Sequence, residues 1–131
     1  MSLSILLRCH AIEQSRRFYE DVLKMRTEDL NEHSISVFCG DSEIMLTDLD
    51  LWQAQPHMSG TIYVGVDDVD AWFGRLQSGC EMVWPLQEMP YGTREFAIRD
   101  CNGYILAFVQ KNWRNALELW RFATRFDNGA G

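Results

Sequence analysis

The sequence predicts an α+β protein made of two βαβββ units, and three observations carry that expectation. A short β-like run followed by an amphipathic helical stretch occurs near the N-terminus and again at mid-chain. Each pair is followed by two further β-like runs around a turn, so the second half repeats the first. The composition is that of a folded chain of one-domain size, with 131 residues, 47% apolar and 24% charged. A chain of this length buries roughly 70% of its unfolded surface, so neither a disulfide nor a metal is needed to hold a core.

Residues 4–9 (SILLRC) form the first β-like run. Residues 15–23 (SRRFYEDVL) place Phe18 with Val22, and Tyr19 with Leu23, at i,i+4 spacing, which predicts a helix. A further strand fits residues 25–29, and residues 34–39 (SISVFC) and 43–47 (EIMLT) flank the turn Gly40-Asp41-Ser42. Unit two opens with residues 61–66 (TIYVGV), rich in β-branched and aromatic side chains. Asp67-Asp68 then offers an N-cap before Val69, Trp72, Phe73 and Leu76, and Gly79 suits the stop of that helix. A strand fits residues 80–84, while residues 94–99 (REFAIR) and 104–109 (YILAFV) enclose Asp100-Cys101-Asn102-Gly103. Asn102-Gly103 signals a hairpin because both residues tolerate positive φ. The expected boundaries are 3–50 for unit one, 51–60 for a linker and 61–110 for unit two, within a single domain, 1–131. Residues 111–126 add a C-terminal helix, with Trp113, Leu117, Trp120 and Ala123 on an apolar face and Arg114, Arg121 and Arg125 elsewhere. Two βαβββ units side by side form a U-shaped, eight-stranded sheet with helices on the convex side and a cup on the concave side.

Nineteen acidic against twelve basic residues leave a net charge of -7, which repels phosphate backbones and anionic lipid and argues against nucleic-acid and membrane partners. The apolar runs fall short of the roughly 20 residues that span a bilayer, and residues 1–8 lack signal-peptide features. A cytoplasmic protein is expected. The four cysteines (Cys9, Cys39, Cys80, Cys101) form no C-x-x-C pair, and Cys9 and Cys39 sit in apolar runs as expected for buried thiols.

Three segments together resemble the vicinal-oxygen-chelate superfamily of glyoxalases, bleomycin-resistance proteins and extradiol dioxygenases. They are Ser15-x-x-Phe18-Tyr19-x-x-Val22-Leu23, then Val66-Asp67-Asp68-Val69 with Leu76, and the stretch from Tyr91-Gly92-Thr93-Arg94-Glu95 to Asn102-Gly103-Tyr104-Ile105-Leu106. Metal-using members of that superfamily carry a His or Glu at one position on each of four strands. Carried onto this chain, those positions are Ser4, Met45, Thr61 and Ala107, none of which supplies a good donor to a divalent ion. Their neighbours Leu3, Ile5, Ile44, Leu46, Gly60, Ile62, Leu106 and Phe108 supply none either, so the conclusion survives a register error of one residue. His10, His33 and His57 lie in or beside loops. The resemblance thus implies a cup without metal or other cofactor, closest in character to the bleomycin-resistance branch.

Strand alternation sends Ser4, Leu6 and Arg8, and likewise Thr61, Tyr63 and Gly65, toward the cup, and Glu95 joins them if Phe96 belongs to the core. The expected ligand-binding set is Arg8, Met45, Thr61, Tyr63, Trp84, Tyr91, Glu95 and Ala107. Aromatic faces from Tyr63, Trp84 and Tyr91 and the carboxylate of Glu95 suit a small aromatic or cationic molecule. An inward Arg8 would neutralise Glu95 and leave shape to select the ligand. The chain has no G-x-S-x-G elbow, P-loop or dinucleotide fingerprint, and no catalytic residue is assigned. The alternative is an enzyme of the same superfamily acting without the usual metal ligands, with Glu95 as its base. A dimeric ferredoxin-like barrel is a third reading, which leaves the Asn-Gly end unexplained. Open strand edges and the apolar terminal helix predict a homodimer.

Overall fold

In the computed structural model, which describes residues 1–110, a short strand β1 (Leu6–Arg8) leads into α1 (Ile12–Arg17) and a π-helical turn at Phe18–Val22. Three strands follow: β2 (Arg26–Asn31), β3 (Ser34–Cys39) and β4 (Ser42–Thr47). The second half repeats the order with β5 (Thr61–Val66), α2 (Val69–Leu76), β6 (Glu81–Glu88), β7 (Arg94–Arg99) and β8 (Ile105–Gln110). The helix expected at 111–126 lies outside the described residues. The chain divides into two compact units, residues 1–60 with Arg99–Tyr104, and Thr61–Ile98 with β8.

Both units build the same four-stranded mixed sheet, ordered β1-β4-β3-β2 in the first and β5-β8-β7-β6 in the second. The outermost members of each repeat pair in parallel, β1 with β4 and β5 with β8, because a helix and two strands intervene and give the chain the length for a crossover. Leu6 lies opposite Met45, and Tyr63 opposite Ala107. The two ladders therefore share one register when the halves are aligned, with Met45 and Ala107 at equivalent positions.

Alternation then sorts the side chains. In the second sheet Val64 lies opposite Phe108, and Phe108 stacks on Phe96 at 5.2 Å and on Trp72 of α2 at 5.2 Å. Phe73 of α2 meets Phe96 edge-on at 5.4 Å, so this face and α2 form an aromatic core. In the first sheet Ile35, Val37 and Leu46 are buried on one face, and Ser34, Ser36 and Thr47 are buried on the other. Tyr19 and Leu23 have no exposed surface, and the π-helical turn between them closes through Leu23 N–H to Phe18 C=O at 3.1 Å.

Several local expectations are corrected. The first strand begins at Leu6 and leaves Ser4 exposed before the ladder, and the first helix starts at Ile12, whose side chain is buried, ahead of Ser15. Asp68 caps α2 as expected, accepting from Ala71 N–H at 3.1 Å. Gly79 is not a left-handed stop: α2 ends at Gln77 in right-handed conformation, and the N–H groups of Gly79 and Cys80 both donate to Leu76 C=O. In the β7–β8 turn only Gly103 takes positive φ, at 91°, while Asn102 serves the turn through its side chain.

Candidate functional site

On the second sheet, the face turned away from α2 is set by the ladder. Phe96 and Phe108 point to the helix, so Glu95, Ala97 and Ala107 point the other way, with Tyr63 opposite Ala107 and Thr61 two residues before it. Glu95 has no exposed surface. One of its carboxylate oxygens accepts a hydrogen bond from Tyr91 Oη–H, and the other accepts from Thr93 Oγ–H at 3.3 Å. Neither candidate arginine pairs with it: Arg94 pairs with Asp70 at 2.8 Å and Glu88 at 3.2 Å, and Arg8 pairs with Asp50 at 3.4 Å. The buried carboxylate is therefore met by hydroxyl donors, with no ion-pair partner among the described residues, an arrangement that holds a charge by hydrogen bonds alone.

Tyr63 shares the face of this network and is 42% exposed. Burial, followed by the bond to Glu95 and its charge, pushes the Tyr91 phenol well above its ordinary value. Tyr63 is raised by burial first and by the Glu95 charge second. Both hydroxyls stay protonated at neutral pH.

The other predicted site residues are spread over both units. Thr61 begins β5 opposite Ile105, and Met45 sits in β4 between Leu6 and Ser36. Trp84 lies half-buried on β6, its Nε1–H shielded and without an acceptor among the described residues. Arg8, in the first unit, donates through Nη1 to Ala54 C=O and pairs with Asp50. Thr93 was missing from the expected set although Thr93-Glu95-Ala97 alternation puts it on the Glu95 face.

The four metal-ligand positions carry a hydroxyl, a thioether, a second hydroxyl and a methyl group, which do not fit a divalent ion. Among the described residues no group of three His, Cys, Asp or Glu side chains could hold one.

A second polar network lies in the first unit, where the turn Arg99–Tyr104 belongs. Asp100 accepts from Tyr19 Oη–H at 2.6 Å and from the backbone N–H groups of Asn102 and Tyr104 at 2.8 and 2.9 Å. Asn102 donates to Ser15 Oγ at 3.0 Å and accepts from His10 N–H at 2.8 Å. Burial raises the Asp100 carboxyl, and its Tyr19 and backbone donors pull against that rise. These contacts tie the turn to β1 and α1 and make the network structural.

Two βαβββ units of one topology and register, each with its helix on one side of a mixed sheet, define the class of this protein. It belongs to the Glyoxalase/Bleomycin resistance protein/Dioxygenase superfamily, whose family profile matches residues 3–108. Among solved structures the chain is similar to a protein of unknown function from Agrobacterium tumefaciens, with 19% identity over 84% of this chain and 94% of that one and a TM-score of 0.72. It is also similar to TioX from Micromonospora sp. ML1, with 22% identity over 84% and 95% of the two chains and a TM-score of 0.68. Lactoylglutathione lyase from Agrobacterium tumefaciens is similar at 19% identity over 86% and 96%, with a TM-score of 0.66. At these identities the likeness concerns the fold. A comparison with curated proteins finds no match. No helix among the described residues is long and apolar enough to cross a membrane.

Proposed function

We propose that this protein is a metal-independent small-molecule binding protein that sequesters its ligand, in the manner of the bleomycin-resistance branch, on the second-sheet face carrying Tyr63, Tyr91 and Glu95. The observation that carries the reading is the fully buried Glu95 carboxylate, held by Tyr91 and Thr93 with no cation paired to it among the described residues. Tyr91 covers that charge, and Tyr63, part-exposed on the same face, offers a phenol oxygen that accepts a hydrogen bond. A small aromatic molecule bearing an ammonium or N–H group matches both the aromatic faces and that acceptor. Thr61 and Ala107 shape the site, and Trp84 is assigned to its surroundings. We place the protein in the cytoplasm as a homodimer, for which sedimentation should give about twice the 15.2 kDa chain mass.

Titration of the intrinsic tryptophan fluorescence with benzylammonium, benzyl alcohol and benzoate tests the reading. The cation should bind tightest, and Glu95→Gln should weaken it about fivefold, a loss of about 1 kcal/mol in a partly desolvated site, with little effect on the alcohol. Tightest binding by benzoate, unchanged in Glu95→Gln, refutes it. Elemental analysis of protein prepared without chelator should find no stoichiometric divalent ion.

The Tyr91 and Thr93 hydroxyls on the buried Glu95 favour a second reading, an enzyme of this superfamily that moves a proton through side chains alone. Catalysis would then be abolished by Glu95→Gln and strongly slowed by Tyr91→Phe, whereas a binder turns over none of its ligands.

A further inference from the structure

The first unit holds a cleft of about 200 Å³ lined by Leu6, Leu7, Arg8, Trp52, His57 and Tyr104 among others, all of them in that unit. Successive residues of β1 point to opposite faces, yet Leu6, Leu7 and Arg8 all line the cleft, so it runs along the edge of β1, the outermost strand of its sheet. Three features mark it as more than a surface groove. Trp52 leaves 47% of its surface exposed there. Tyr104 is anchored, its hydroxyl donating to Arg8 C=O, which fixes one wall. The Arg8 guanidinium is only partly satisfied: Nη1 meets Ala54 C=O and Asp50, whereas Nε–H is shielded from water without a partner among the described residues.

We propose that this cleft is a second binding site, which takes a small, planar, uncharged molecule through a carbonyl oxygen presented to the Nε–Nη2 edge of Arg8. A shielded guanidinium N–H without an acceptor is costly, and a bound carbonyl with a slight turn of the side chain removes that cost. Charge decides against a carboxylate, because Asp50 already balances Arg8 and a second anion would stand uncompensated beside it. Volume limits the ligand to a single ring, since the cleft is smaller than the pockets of about 300–1,000 Å³ that hold drug-sized molecules. The exposed indole of Trp52 offers the face on which such a ring stacks.

Benzamide and benzoate are near-isosteres that differ in this charge. The test follows the Trp52 indole N–H signal of the ¹⁵N-labelled full chain, assigned by Trp52→Phe, as each is added. Benzamide should shift it saturably and bind tighter than benzoate. Arg8→Lys keeps the cation beside Asp50 but removes Nε–H and the planar edge, and should weaken benzamide about tenfold. Asp50→Asn leaves Arg8 intact and should reverse the preference toward benzoate. A Trp52 signal that benzamide does not move, tighter binding by benzoate to the unaltered chain, or an unchanged ratio of the two in Asp50→Asn overturns the proposal. Binding lost in Glu95→Gln but kept in Arg8→Lys assigns benzamide to the second sheet and overturns it as well, separately from the fate of the Glu95 reading.

Discussion

Tyr19→Phe removes one oxygen from a fully buried ring and leaves the ring's packing in place, so its cost isolates the hydrogen bond to Asp100. A bond to a charged acceptor contributes about 1.5–3 kcal/mol, and no cavity is added, so we expect a loss of about 2 kcal/mol at neutral pH. The pH dependence gives a second, independent check. Burial is the largest influence on Asp100 and raises its folded-state pKa, while Tyr19 is first among the donors that oppose the rise. With the folded pKa above the unfolded one, stability is greatest below the unfolded value and is lost as pH climbs through the folded value. Removing the Tyr19 hydroxyl raises the Asp100 pKa further. The deficit of the variant is therefore largest at neutral pH and shrinks as acid protonates Asp100. Urea unfolding of both proteins at neutral and mildly acidic pH measures this, with equal m-values as the control that the denatured states match. A deficit below about 0.5 kcal/mol at neutral pH, or one that grows on acidification, refutes the reasoning. In a cycle with Asp100→Asn, the two substitutions should be strongly non-additive.

Phe96→Ala should cost about 3–5 kcal/mol in the same unfolding assay, because it empties the centre of the stack with Phe108 and Phe73. Gly103→Ala meets no atom within 4 Å, so only the strain of a φ of 91° acts, and thermal melting should report a loss of about 1 kcal/mol or more. Asp68→Ala should lower stability by about 1 kcal/mol through loss of the α2 cap, without altering the near-ultraviolet signal of the aromatic core.

The repeat was legible in the residues because it depends on local chemistry. Alternation in 61–66 and 94–99 and the acidic pair before Val69 each specify an element through its own neighbours, and these appear where they were expected. That Ser4, Met45, Thr61 and Ala107 are poor donors to a divalent ion is a property of the side chains themselves and needs no fold to state. Helix ends were less so: Gly79 has the composition of a stop, but α2 had already ended at Gln77.

What tertiary structure alone decided is which distant groups meet. The motif around Ser15 and Tyr19 and the motif around Asp100 and Asn102 lie more than eighty residues apart, yet they form one buried network, and nothing in either segment names the other as its partner. The same holds for the arginines. Arg8 was a candidate to neutralise Glu95, but its place beside the 50–54 segment gives it Asp50 and Ala54 instead, and Arg94 turns to Asp70 and Glu88. Among the described residues Glu95 is thereby left to Tyr91 and Thr93, because side-chain identity sets what a group can bind, while only the packing of the chain sets which groups come within reach.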